Sequence, residues 1–85
     1  MIMEIPLVML PVGGKGKITR IRGGRGVIRR LSYMGFIPGV EIKVVYSHAS
    51  HNPGRGGPLV VEVKDTRIAL GRGVALKIMV QKVVN

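Results

Sequence analysis

Three stretches of the chain alternate apolar and polar residues with a period of two. Over residues 40–46, Ile42, Val44 and Tyr46 alternate with Glu41 and Lys43. Over residues 59–64, Leu59, Val61 and Val63 alternate with Glu62 and Lys64. Over residues 74–83, Leu76, Ile78 and Val80 alternate with Lys77, Met79 and Gln81. Each pattern predicts a strand with one buried face, and the first places Tyr46 in the core. An earlier β-branched segment, residues 16–22, reads as a further strand. Its Ile18 and Ile21 fall on opposite faces, so it needs a bulge or burial on both sides.

Between these strands the period changes. Val27, Leu31 and Met34 recur at i, i+4 and i+7, with Ile28 beside them, which is one helical face. Arg25, Arg29, Arg30 and Tyr33 lie largely off that face. Gly35 suits the left-handed residue that ends a helix, and Pro38 cannot continue one. The prediction is a helix over residues 25–34. Residues 66–71 have the length of a single helical or 3₁₀ turn closed by Gly71. Residues 47–58 contain Pro53, Gly54, Gly56 and Gly57 and read as a mobile hairpin connection.

The predicted order is strand, helix, strand, strand, helical turn, strand. Glycine clusters separate the apolar runs, as turns do. The fold class is mainly β: a small, partly open barrel with one inserted helix and a short helical turn before the last strand. Closing the sheet protects edges that otherwise invite aggregation. The apolar lead, residues 1–11, is either an added edge strand or a frayed end.

Composition sharpens this picture. The 85 residues make one domain, residues 1–85, and no cysteine is present to staple it. Cysteine-based zinc sites and thiol nucleophiles are excluded as well. An apolar content of 46% argues against a disordered basic tail. No stretch approaches the roughly 20 apolar residues of a membrane span. The apolar run at residues 5–12 is broken by Pro6 and Pro11, and Glu4 stands where a signal peptide carries positive charge. A cytosolic, unprocessed chain is expected.

Fourteen Lys and Arg stand against four Asp and Glu, a net charge of +10. Such a field favours anionic partners: nucleic acid, an anionic membrane surface, a nucleotide or an acidic protein face. Arg20, Arg22, Arg25, Arg29 and Arg30 cluster around the first strand and the helix. Arg22-Gly23-Gly24 and Arg55-Gly56-Gly57 repeat one tripeptide. Barrels that bind RNA or single-stranded DNA stack bases on aromatic residues over a charged groove. Phe36, Tyr33 and Tyr46 are the only aromatics, so that platform is thin.

Catalytic chemistry fits poorly. Glu4 is terminal, and Glu41 and Glu62 fall on polar strand faces, so no carboxylate pair is required to converge. His48 and His51 lie three apart in the glycine-rich loop without the further ligands that a metal needs. Gly13-Gly14-Lys15-Gly16-Lys17 lacks the Ser or Thr of a phosphate-binding loop. Gly24-Arg25-Gly26 and Gly71-Arg72-Gly73 lack the third glycine of a dinucleotide fingerprint. All three read as turns. No cofactor is expected.

The order and spacing of several motifs resemble the FeoA family, small cytoplasmic accessory proteins of ferrous iron uptake. Leu7, Leu10, Gly13, Gly16 and Ile18 resemble its opening pattern. Gly23-Gly24, Arg30-Leu31 and Met34-Gly35 resemble its helix, and Ile37-Pro38-Gly39 its turn into the next strand. Gly57-Pro58 with Val61 and Val63, then Ala69-Leu70-Gly71 with Ala75 and Ile78, resemble the remaining strands. The resemblance implies an SH3-like β-barrel and a non-enzymatic role beside FeoB, a membrane transporter with a cytosolic GTP-binding domain. It further implies binding to FeoB's cytosolic part, with effects on assembly or GTP turnover. The high positive charge departs from the family pattern and keeps nucleic acid as the alternative partner; a homo-oligomer joined through an open barrel edge is a third.

Arginine and tyrosine are favoured interface anchors. Arg29, Arg30 and Tyr33 on the helix, with Phe36 in the following turn, are therefore the expected partner-binding residues. Phe36 has an opposed reading, as the plug of the barrel end. Leu31 and Met34 belong to the core by their spacing.

Overall fold

The structure, a computed structural model, describes residues 3–48 and 56–84. His51, Pro53, Gly54 and Arg55, part of the expected hairpin connection, lie outside the described residues. Six strands form one antiparallel sheet: β1 (Glu4–Pro6), β2 (Lys15–Ile21), β3 (Glu41–Ser47), β4 (Leu59–Val63), β5 (Thr66–Leu70) and β6 (Ile78–Lys82). Their order across the sheet is β1-β6-β2-β3-β4-β5. Helix α1 (Arg25–Tyr33) follows β2, and the short helix α2 (Arg72–Ala75) precedes β6. Ile5 of the edge strand β1 packs on the same buried cluster as Ile68 and Leu70 of the other edge, β5. One core thus runs under the whole sheet from edge to edge, as in a small curled, partly open barrel.

β1 settles the apolar lead as an edge strand, paired through Ile5 to Val80. A 3₁₀ turn (Leu7–Met9) follows and buries Leu7. The two-face conflict in β2 is resolved by a bulge: Ile18 pairs with Val80 and Arg20 with Met79, leaving Thr19 as the extra residue. Gly16, upstream in the same strand, sits where β2 and β6 press together. A Cβ there would lie 2.9 Å from the Val80 Cβ and 3.1 Å from Leu10.

Helix α1 spans almost the predicted residues. It ends in a Schellman motif. The Gly35 N–H donates to the Ser32 carbonyl, and the Phe36 N–H reaches back to the Leu31 carbonyl at 2.9 Å. Gly35 takes φ = +98°, which its missing Cβ allows. This motif brings its two flanking apolar residues together, and Leu31 and Phe36 are both in the core. Phe36 is fully buried. It plugs the barrel, and its reading as an exposed anchor is corrected.

Three strand expectations are corrected as well. Tyr46 is 52% exposed, because β3 carries a bulge between Val44 and Tyr46 that reverses the alternation beyond it. Residues 66–70 are strand β5, not a helical turn. β4 and β5 form a hairpin in which Val63 pairs with Thr66, leaving Lys64 and Asp65 as a two-residue connection. Both have positive φ, +50° and +65°, which matches the twist of paired strands. The helical turn before the last strand exists, but as α2, with Gly71 at its start rather than its end. Residues 74–76 therefore leave the predicted strand. Leu76 is partly exposed, whereas Met79, assigned to a polar face, is buried because β6 is covered on both sides near Ile78.

Candidate interaction site

The sheet and the Schellman turn hold α1 with Leu31 against the core and the opposite side in solvent. Arg29 and Tyr33 are four residues apart, one above the other on that outer face, with Arg30 beside them. All three are exposed, and Tyr33 is 84% exposed. Neither arginine forms an ion pair with a described residue. Arg30 lies in the last turn of α1, where a cation complements the helix dipole.

An apolar pocket of about 220 Å³ opens at the edge of this face. Ile28 and Ser32 of α1 form one wall, Arg20 and Ile21 of β2 another, and Ile37-Pro38 the third. Phe36 closes it from inside. Three of the four expected residues are thus exposed on α1 without lining the pocket, and the fourth, Phe36, forms the pocket's floor. Ile21, Ile37 and Pro38 were not anticipated as part of a site. Their only sequence signal was apolar residues beyond what the helical face uses, such as Ile28 beside the Val27–Leu31 stripe.

Arg20 on the pocket wall is itself held. Its Nε donates to Glu4 Oε1 at 2.9 Å, and the Thr19 hydroxyl donates to Glu4 Oε2 at 2.6 Å. The Thr19 bond is the main reason that the Glu4 carboxyl titrates below its ordinary value. Burial opposes that shift, and the Arg20 bond and charge add to it. The residue read as a terminal carboxylate therefore ties β1 to the bulge of β2.

A second hollow, about 500 Å³, is lined by Lys15, Val40, Glu41, Lys43, Glu62, Lys64 and Asp65. It alternates signs, and no group of three or more His, Asp or Glu among the described residues converges to hold a metal. The Tyr46 hydroxyl faces His48 Nδ1 at 3.4 Å on the exposed end of β3. With Phe36 in the core, the stacking surface left for nucleic acid consists of Tyr33 and Tyr46 on separate elements.

A family model described as the FeoA domain matches residues 5–82. The chain belongs to the FeoA family. A protein of Methanocaldococcus jannaschii, provisionally named Fe(2+) transport protein A, is 34% identical over 76 residues, covering 89% of this FeoA-family chain and 84% of that protein. A crystal structure of FeoA, described as an iron uptake regulatory protein, matches with a TM-score of 0.82 and 36% identity, over 95% of this chain and all of that one. FeoA of Stenotrophomonas maltophilia, crystallised with zinc and described as a prokaryotic SH3 domain protein, matches with a TM-score of 0.70 and 29% identity, over 88% of this chain and 87% of that one. The fold is accordingly SH3-like. No helix among the described residues is long and apolar enough to cross a membrane.

Proposed function

We propose that this FeoA-family chain is a cytoplasmic accessory protein of ferrous iron uptake that binds the cytosolic region of a FeoB-type transporter. The observation that carries the reading is the outer surface of α1. There Arg29, Arg30 and Tyr33 stand exposed, and an apolar pocket opens along the Ile28–Ser32 side of the same helix. Interfaces draw most of their energy from a few aromatic and arginine anchors around a desolvated centre. The pocket offers such a centre, and the arginines favour an acidic rim on the partner. The names of the relatives support the biological setting. The Methanocaldococcus protein is named for ferrous iron transport, and the Stenotrophomonas protein is described as a candidate activating factor for it.

The test is calorimetry of the full chain against the isolated cytosolic domain of its transporter at about 0.15 M salt, where exposed charges are screened beyond roughly 8 Å. Saturable binding with integral stoichiometry is expected. Arg29→Glu, Arg30→Glu and Tyr33→Ala should each weaken it about tenfold or more, while thermal unfolding shifts little. Absence of heat with the native chain defeats the reading. Loss of the thermal transition in Arg30→Glu would show that side chain to be structural. GTP turnover measured with and without the chain decides whether binding alters hydrolysis.

A further inference from the structure

Charge in this molecule is segregated. The sequence between Glu4 and Glu41 contains no acidic residue. Glu4 is engaged by Thr19 and Arg20, and Glu41, Glu62 and Asp65 all line the lysine-rich hollow beside β3 and β4. The end of the barrel where β2 leaves and β6 enters is therefore net basic: the Glu4 carboxylate, already held by Thr19 and Arg20, is the one acidic group among the described residues that acts on Arg22.

That end also exposes aliphatic side chains. The Arg22 N–H donates to the Lys77 carbonyl at 2.7 Å, which fixes the end of β2 against the start of β6. Arg22, Gly23, Gly73, Leu76 and Lys77 line a wide hollow there of about 480 Å³. Val74 is 37% exposed and Leu76 is 43% exposed. The 3₁₀ turn packs on α2, and its Met9 is 65% exposed. Single exposed apolar residues need no explanation. Leu76 lies between the two cations in the hollow, and Val74 is exposed one residue beyond its Gly73 wall, a combination that fits a specific surface. At an anionic bilayer, aliphatic tips enter the boundary between headgroups and acyl chains while Lys and Arg meet lipid phosphates.

We propose that this end of the barrel, Val74 and Leu76 flanked by Arg22 and Lys77, seats the protein directly on an anionic phospholipid surface. The contact is separate from the α1 site and needs no transporter. Nucleic acid fits this end less well, because its lining holds no aromatic on which a base could stack. A protein anchor fits less well because the hollow is wider and shallower than the smaller apolar pocket beside α1.

Co-sedimentation of the full chain with phosphatidylcholine vesicles, with and without phosphatidylglycerol, tests this. Binding is expected only to the anionic vesicles, falling as salt rises. Each cation near such a surface is worth about fivefold in affinity, so Arg22→Gln with Lys77→Gln should weaken binding roughly 30-fold. A charge-matched control, Lys43→Gln with Lys64→Gln, should stay within about threefold, because those lysines face another part of the surface. Leu76→Ser should weaken binding about fivefold through lost apolar burial. Should Leu76→Ser lose its thermal transition, Val74→Ser and the charge variants carry the same test. Equal binding to neutral vesicles, or equal weakening by the two lysine and arginine pairs, overturns the proposal. So does absence of vesicle binding, and if Leu76→Ser then loses affinity for the soluble transporter domain, this end belongs to a protein partner.

Discussion

The seam between β2 and β6 and the outer face of α1 lie a short way apart in one small domain, yet they are built by opposite rules. In the seam each side chain is specified by its neighbours: Gly16 has no room for a Cβ beside Val80, and Ile18 and Val80 are both fully packed. On α1, Arg29, Arg30 and Tyr33 are held in place by a helix whose other face is buried, and they touch little themselves. A substitution in the seam should change stability before it changes anything else. One on α1 should change association and leave the fold nearly untouched, because exposed substitutions away from caps and buried groups usually stay within about 0.5 kcal/mol.

Phe36 is where that division can be broken most sharply, since it belongs to the core and also backs the α1 pocket. Phe36→Ala removes a fully buried ring and should cost about 3–5 kcal/mol. Against a total of roughly 5–10 kcal/mol for a small domain, that leaves a marginal protein. Denaturant unfolding measures it. A loss under about 1 kcal/mol would mean that the ring is not packed as a core residue and would return Phe36 to the interface.

Gly16→Ala probes the seam itself. The added Cβ meets the Val80 side chain at 2.9 Å, so β2 or β6 must shift. The expected loss is about 1–3 kcal/mol, in the range of overpacked cores. Partner binding through α1 should persist at temperatures where the variant is still folded. Loss of both together would show that the seam and α1 are mechanically one unit.

How much of this was legible in the sequence follows the same division. Strands β3 and β4 and helix α1 announce themselves because each buries one face, and periodicity records most of that face; Met34, expected in the core, is 39% exposed because it lies at the helix end, and Ile28 turns to the pocket at 41% exposure. The bulges erase that record. One unpaired residue at Thr19 or Val45 reverses the alternation, which is why Tyr46 was assigned to the core. Strand β5 was missed for a different reason. Thr66, Ile68 and Leu70 do alternate with Arg67 and Ala69, but the segment is short and its turn, Lys64-Asp65, lacks the Asn-Gly or Asp-Gly pair that usually marks a hairpin. Phe36 was ambiguous until the Schellman bonds showed that its place after Gly35 directs it inward. The arginines of α1 could be assigned to an exposed face, but the union of Ile28 and Ser32 with Arg20, Ile21, Ile37 and Pro38 in one pocket depends on tertiary contacts that no local pattern encodes.

The Lys64-Asp65 turn yields a smaller effect of the opposite sign. Both residues occupy the left-handed region, which costs side-chain-bearing residues up to about 1–2 kcal/mol each, less for Asp. Replacing the pair by Lys64→Asn with Asp65→Gly should raise stability by about 1 kcal/mol. Partner binding should not change, since the turn lies in the other hollow. A destabilised variant would mean that the wild-type side chains contribute more there than their backbone strain costs.

Glu4 supplies the subtlest test, because it links the edge of the sheet to the wall of the α1 pocket. Its carboxyl titrates below the ordinary value of 4.5, chiefly because the folded protein offers it the Thr19 hydroxyl. A carboxyl with a depressed folded value stabilises the native state above its unfolded pKa, and that contribution is lost as the pH falls through the folded value. Native stability should therefore decline below about pH 4.5, with amide exchange in β1 rising first, because β1 is the short edge strand that this contact ties down. Glu4→Gln should remove that step from the stability profile and leave Arg20 freer at the pocket wall. If the pH profiles of native and variant proteins coincide, Glu4 does not anchor β1, and the pocket wall owes its position to the β2 bulge alone.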